Sequence, residues 1–301
     1  MTGVAVVFPG QGTQVPGMGA VWRDRPEWDV VVGRAEAALG QPVGRLLLDA
    51  DEDELLRTRN AQLSVLLSSL LAWEAARSKV SGPVAFAGHS LGQVSALIAS
   101  GSLDFDAGIR FAALRADATQ AAADATPGRM AALLGATDEQ AQAACDASTE
   151  CWIANDNAPG QIVLAGTPTG LEQGVEAAKA AGARTARPLA VGGAFHTPLM
   201  QPAADELGGV LHDGQFAVGR APVVANDDGL AHAEPEGWAD RSARHVALPV
   251  RWRAVQLTLA EMGATTLLEI GHGSMLAALA KRTIRDVPVV GVGTPEAVAA
   301  L

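Results

Sequence analysis

A serine framed by two glycines, Gly88-His89-Ser90-Leu91-Gly92, separates the apolar run Val84-Ala85-Phe86-Ala87 from Gln93-Val94-Ser95-Ala96-Leu97-Ile98-Ala99. That order predicts a buried strand turning sharply into a helix. A turn so tight needs residues without a Cβ on either side, and it lifts Ser90 Oγ to the N-terminal end of the helix, where partial positive charge collects. The backbone N–H of Leu91 would there face an oxyanion. The same pattern also suits a purely structural strand-to-helix turn, so the rest of the chain has to decide.

The remaining sequence repeats the alternation. Val4-Ala5-Val6-Val7-Phe8 reads as a buried strand ended by the loop Pro9-Gly10-Gln11-Gly12-Thr13-Gln14, and residues 22–48 read as helix-compatible. Residues 62–73 are apolar on most sides, as in a helix packed deep against a sheet, with the polar Gln62 at its start. Residues 103–120 form a further helical pattern carrying Arg110 and Arg115. Beyond Thr126-Pro127-Gly128 the units shorten: a strand over 130–134, a helix over 138–147, an apolar segment at 152–154, a turn from Asn155 to Gly160, a strand over 161–165, a helix over 168–181 and a strand over 184–191. That β-α-β-β-α-β order predicts a small ferredoxin-like α+β domain, residues 127–191, inserted between residues 1–126 and 192–301 of a larger domain. Strands at 222–226, 265–270 and 288–292, with helices at 250–262 and 275–282, make that larger domain α/β with a hydrolase-like parallel-sheet core.

Composition narrows the function. A formal net charge of -11 over 301 residues excludes nucleic acid as an expected partner. No uncharged apolar run approaches the ~18 residues of a membrane span, and no basic region precedes the first apolar stretch, so the expected location is cytoplasmic. The two cysteines, Cys145 and Cys151, lack ligand-like neighbours and read as thiols, not as a disulfide or metal site. Arg241, Arg244, Arg251, Arg253, Lys281, Arg282 and Arg285 cluster late in the chain, fitting either an acidic partner or a solvated face.

A serine nucleophile needs a base, and the base needs a group that fixes its tautomer. Six histidines compete. His89 adjoins Ser90 but should point away; His212 and His232 lie in polar, loop-like surroundings; His245 precedes a helix in an Arg-rich segment. His196, in Gly192-Gly193-Ala194-Phe195-His196-Thr197-Pro198, and His272, in the turn after a late strand, both remain open. The second would suit a serine hydrolase.

Together, Pro9-Gly10-Gln11-Gly12-Thr13-Gln14, Gly88-His89-Ser90-Leu91-Gly92, Arg115, Asn157-Ala158-Pro159-Gly160-Gln161 and Ala194-Phe195-His196-Thr197-Pro198-Leu199-Met200 resemble the malonyl-CoA:acyl carrier protein transacylases and the related acyltransferase domains of polyketide synthases. Pro249-Val250-Arg251-Trp252 and Glu269-Ile270-Gly271 look like the same family, so the resemblance runs from Phe8 to about Arg282. It implies Ser90 as nucleophile, His196 as base, and the N–H groups of Gln11 and Leu91 as the oxyanion hole. Main-chain carbonyl oxygen near His245 would orient His196. The implied substrate-binding residues are Arg115, Phe195, His89, Asn157 and Gln62, with Arg115 gripping the malonyl carboxylate and Phe195 disfavouring a substituted α-carbon.

The implied activity is malonyl transfer from malonyl-CoA to an acyl carrier protein, in trans, in fatty-acid or polyketide synthesis. It would proceed in a monomer, with no metal or redox cofactor. The rival classes are a thioesterase-like serine hydrolase and a non-catalytic carrier-protein scaffold. Three residues depart from the family pattern: Gln93 where glutamate is common, His245 where glutamine is common, and His272 in place of a proline. None of these replaces a reacting group.

Overall fold

A computed structural model describes residues 3–301 as two sheets with helices around them. The larger sheet has the order β10-β9-β1-β2-β7-β8, comprising β1 (Val4–Phe8), β2 (Ala85–Gly88), β7 (Val223–Val224), β8 (Ala231–His232), β9 (Thr266–Ile270) and β10 (Val289–Val292). Its first five strands are parallel, and β8 turns back antiparallel on β7. Every residue of β1 is buried, as a parallel strand covered on both faces requires. Alternation still sorts the side chains. Val4, Val6, Phe8 and Phe86 join the core formed with helices Thr58–Ala76, Gly92–Ser100 and Phe105–Ala125, whereas Ala5, Val7, Ala85 and Ala87 join the core formed with helices Trp252–Glu261 and Met275–Thr283.

The smaller sheet is antiparallel, with the order β4-β5-β3-β6: β3 (Arg129–Leu134), β4 (Cys151–Ala158), β5 (Gln161–Gly166) and β6 (Thr185–Pro188). Helices Asp138–Asp146 and Pro168–Ala180 contribute to a core on one face with Ala131, Leu133, Ile162 and Leu164. The other face presents Met130, Ala132, Ala154, Val163 and Ala165 toward Ala194, Phe195 and Leu199. Val250 stitches the two parts together, donating to Ala154 O and accepting from Asp156 N at 2.9 Å each, while Arg253 pairs with both Asp138 and Asp156.

Several local expectations change. Residues 22–48 are short helical pieces, not one helix, because the chain turns left-handed at Gly40 and restarts at Arg45–Leu48. The expected turn from Asn155 is strand as far as Ala158, its polar residues accommodated by register shifts against β5, and only Pro159 and Gly160 connect β4 to β5. The strand expected over 184–191 closes at Pro188, leaving residues 189–191 to line a cavity. His245 lies ahead of the helix Trp252–Glu261, as expected, but it also directly follows a second helix, Trp238–Arg244, and opens the single turn His245–Ala247. Both cysteines are free thiols.

At the Ser90 turn the glycines are dictated by contact. A Cβ on Gly88 would lie 1.8 Å from the Gly92 carbonyl oxygen, and one on Gly92 would lie 2.3 Å from the Phe8 carbonyl oxygen. Both neighbours are backbone and cannot rotate away. Gly88→Ala is therefore expected to destabilise the fold by at least ~2 kcal/mol, read by chemical denaturation; a loss within about 0.5 kcal/mol would mean that the turn relaxes.

Candidate active site

Ser90 has a φ of 52° and His196 a φ of 62°, the two non-glycine residues in the left-handed region among those described. Such a conformation costs roughly 1–3 kcal/mol each and persists only where surroundings enforce it. The two strained residues face each other: Ser90 Oγ lies 2.7 Å from His196 Nε2. His196 Nδ1 lies 3.1 Å from the His245 carbonyl and 3.0 Å from the Leu248 carbonyl. Carbonyl oxygen can only accept, so Nδ1 carries the proton, and the Nε2 lone pair of the neutral ring points at Ser90. Main-chain oxygen thus occupies the place beside Nδ1 that a carboxylate occupies in a Ser-His-Asp arrangement.

Arg115 approaches from the helix Phe105–Ala125. Its Nη2 donates to Ser90 Oγ at 3.2 Å and its Nη1 to Gln62 Oε1 at 2.5 Å. The side chain is 4% exposed, and among the described residues it makes no ion pair. Burial pulls its pKa down to about 10, which leaves it cationic at neutral pH. His89, also buried, turns away from Ser90 and places Nε2 2.8 Å from Asn157 Oδ1, with its ring edge-on to Trp252. A cavity of about 460 Å³ opens above Ser90, bordered by Gln11, Gln62, His89, Arg115, Asn157, Phe195 and His196. Its apolar wall comes from the small sheet and the segment after it: Met130, Ala132, Val163, Leu189 and Val191.

With this geometry in hand, comparison with known proteins is decisive. The acyl transferase domain family matches residues 5–299. The chain belongs to that family. It is 35% identical over 303 residues to a malonyl CoA-acyl carrier protein transacylase of Bacillus subtilis, covering 99% of this chain and 96% of that protein. The crystal structure of an acyl carrier protein S-malonyltransferase from Vibrio cholerae superposes with a TM-score of 0.93 at 33% identity, covering 99% of both chains. A malonyl-transacylase solved in complex with a type II polyketide synthase acyl-carrier protein gives a TM-score of 0.92 at 35% identity, covering 99% of this chain and 98% of that one.

Within this acyltransferase-family chain, the structure brings Gln11, Gln62, His89, Ser90, Arg115, Asn157, Phe195 and His196 to one cavity, with the His245 carbonyl behind His196. Leu91 sits buried at the N-cap of the Gly92–Ser100 helix. Among the described residues neither the Gln11 nor the Leu91 N–H is engaged by a protein acceptor. The Ser90 N–H is engaged: Asn226 Oδ1 accepts it at 2.8 Å. Asn226 escaped the sequence reading; its only signal there is a polar residue closing the apolar run 222–225. His272 is half-buried in the turn after β9 and makes no hydrogen bond to Ser90. The late arginine cluster is partly consumed within the chain, since Arg241 pairs with Asp227 and Asp228, Arg244 with Asp240, and Arg253 with Asp138 and Asp156.

Burial, reinforced by the charge of Arg115, pulls the His196 imidazole down to about 3. A depressed pKa leaves the imidazole neutral below the usual histidine range. Covalent modification of Ser90 should therefore hold its rate from about pH 8 down to about pH 5, measured as label uptake with an activated phosphonate. An acid limb centred at or above about 6.5 would contradict this environment.

Proposed function

We propose that this chain is a cytoplasmic, monomeric acyltransferase that moves malonyl from malonyl-CoA, through an ester on Ser90, to the phosphopantetheine thiol of an acyl carrier protein in fatty-acid or polyketide synthesis. The observation that carries this reading is Arg115, a buried cation that has no carboxylate partner among the described residues and whose Nη2 lies 3.2 Å from Ser90 Oγ. A guanidinium there matches an acyl group that brings its own carboxylate, because two parallel hydrogen bonds can form and the buried charge is then paired. The names of the relatives support the same substrate, and the solved carrier-protein complex supports the acceptor.

In the proposed cycle the Ser90 hydroxyl gives its proton to His196 Nε2 as Oγ bonds to the thioester carbonyl carbon. The N–H groups of Gln11 and Leu91 receive the oxyanion. Collapse breaks the C–S bond, and CoA leaves with the proton held by His196. The carrier thiol then gives its proton to His196, its sulfur attacks the malonyl ester, and Ser90 Oγ leaves with that proton. The cycle calls for no metal or redox cofactor. Gln62 would hold Arg115 in orientation, and His89 and Asn157 would shape the opposite wall of the cavity. Phe195 would crowd a substituted α-carbon, a preference of about 1–3 kcal/mol per methyl. Hydrolysis relying on His272 draws no support, since that ring does not meet Ser90.

The same reading treats residues 127–191 as a ferredoxin-like insert in a hydrolase-like core made of residues 1–126 and 192–301. The β-α-β-β-α-β order and the strand order β4-β5-β3-β6 support it. The exposed Arg282 and Arg285 remain candidates for docking an acidic carrier protein.

Incubation with malonyl-CoA should add a malonyl mass to Ser90, and Arg115→Ala should slow that loading by about 100-fold or more while affecting acetyl loading far less. Equal losses for the two donors would remove the carboxylate clamp. Neutralising Arg282 and Arg285 should slow transfer to the carrier protein; unchanged kinetics would clear those two residues of a docking role.

A further inference from the structure

We infer that Asn226, held by Gln93, is a positioning residue that sets the Ser90 nucleophile. Asn226 is completely buried, and all of its polar groups are engaged. Its Oδ1 accepts from the Ser90 N–H, its Nδ2 donates to the Gly88 carbonyl, and its own N–H donates to Gln93 Oε1, each at 2.8 Å. Its carbonyl accepts from Arg251 N, also at 2.8 Å.

One amide side chain thus clamps the turn from both sides. It takes the donor of the strained residue and satisfies the acceptor two residues earlier. Because the amide of Ser90 is spent on Asn226, it cannot serve the oxyanion, and the residue holds φ at 52° with a fixed partner on its N–H. The main chain of Asn226 extends the tie to the base. Arg251 follows three residues after Leu248, whose carbonyl meets His196 Nδ1. Nucleophile and base are therefore registered against the same residue.

Gln93 supplies the acceptor that keeps the Asn226 backbone in place, and it is 2% exposed. A neutral amide and a carboxylate offer the same acceptor at this reach, whereas a hydrocarbon side chain leaves the Asn226 N–H orphaned. The inference deepens the transferase reading but rests on Ser90 alone for its first test.

The experiment measures the rate at which a fluorophosphonate labels Ser90 in the wild type, Asn226→Ala, Gln93→Met and Gln93→Glu, with thermal melting recorded alongside. Displacing a nucleophile by about 1 Å costs on the order of 100-fold, so Asn226→Ala should label about 100-fold more slowly. Gln93→Met should fall in the same direction by a smaller factor, and Gln93→Glu should recover toward the wild-type rate. With malonyl-CoA as donor, the deficit should lie in the rate at saturation, with half-saturation within about threefold of wild type. Labelling of Asn226→Ala within about threefold of wild type overturns the proposal. So does a Gln93→Glu enzyme no faster than Gln93→Met, which keeps the test decisive if Asn226→Ala does not fold. Failure of wild type to accept malonyl from malonyl-CoA would count against the substrate reading and leave the labelling comparison intact.

Discussion

The site depends on how closely three stretches of backbone approach one another where β1 and β2 end. Gly92 packs against the Phe8 carbonyl, Gly88 packs against the Gly92 carbonyl, and the His89 N–H donates to the same Phe8 oxygen at 3.0 Å. There is no room between them for a side chain. The helix that begins at Gly92 is thereby pinned to the end of the sheet, with its N-terminal N–H groups facing the place where charge would develop. Ser90 is strained because both neighbours are fixed, and its Oγ is presented to the cavity for the same reason.

A second constraint is electrostatic. Holding Arg115 as a buried cation, with its pKa pulled down to about 10 by burial, costs on the order of 3 kcal/mol at neutral pH. The sign is unfavourable to folding, because burial disfavours the charged form and, among the described residues, no carboxylate pairs with it. Gln62 supplies an oxygen to one Nη, and Ser90 Oγ occupies the other. Neutral acceptors satisfy the geometry of the guanidinium but leave its charge uncompensated. On the proposed reading, that uncompensated charge is what the acyl carboxylate would pair with.

Much of this was legible in the sequence. The strands of the parallel core follow from short apolar runs, several of them ended by Gly or Pro, and Ser90 follows from glycines that only a tight turn explains. The small antiparallel sheet was legible as an order of elements, though β4 ran on through Asn155, Asp156 and Asn157 because their side chains found partners that composition does not reveal: Asn157 meets His89 and Asp156 meets Arg253. Choosing between His196 and His272 was beyond periodicity. What separates them is three-dimensional: a left-handed residue whose Nδ1 faces two carbonyls some fifty positions later. Asn226 was invisible for a similar reason. A single asparagine at the end of a strand carries no pattern, and its role exists only once Gly88, Ser90 and Gln93 are folded around it.

The two constraints meet at Ser90 Oγ. It is shared between His196 Nε2 at 2.7 Å and Arg115 Nη2 at 3.2 Å, so part of its lone-pair density is committed to a cation. An acyl carboxylate on Arg115 would compete for that donor and release the oxygen toward the thioester carbon. It would also offset the charge that, after burial, is the next cause of the low His196 pKa, moving the base upward toward the range in which it can hold a proton. A donor without a carboxylate can do neither. On the proposed reading, recognition of the acyl group and activation of the nucleophile are one electrostatic event, and Arg115 contributes to both because Gln62 and the Ser90 turn hold its guanidinium within reach of each.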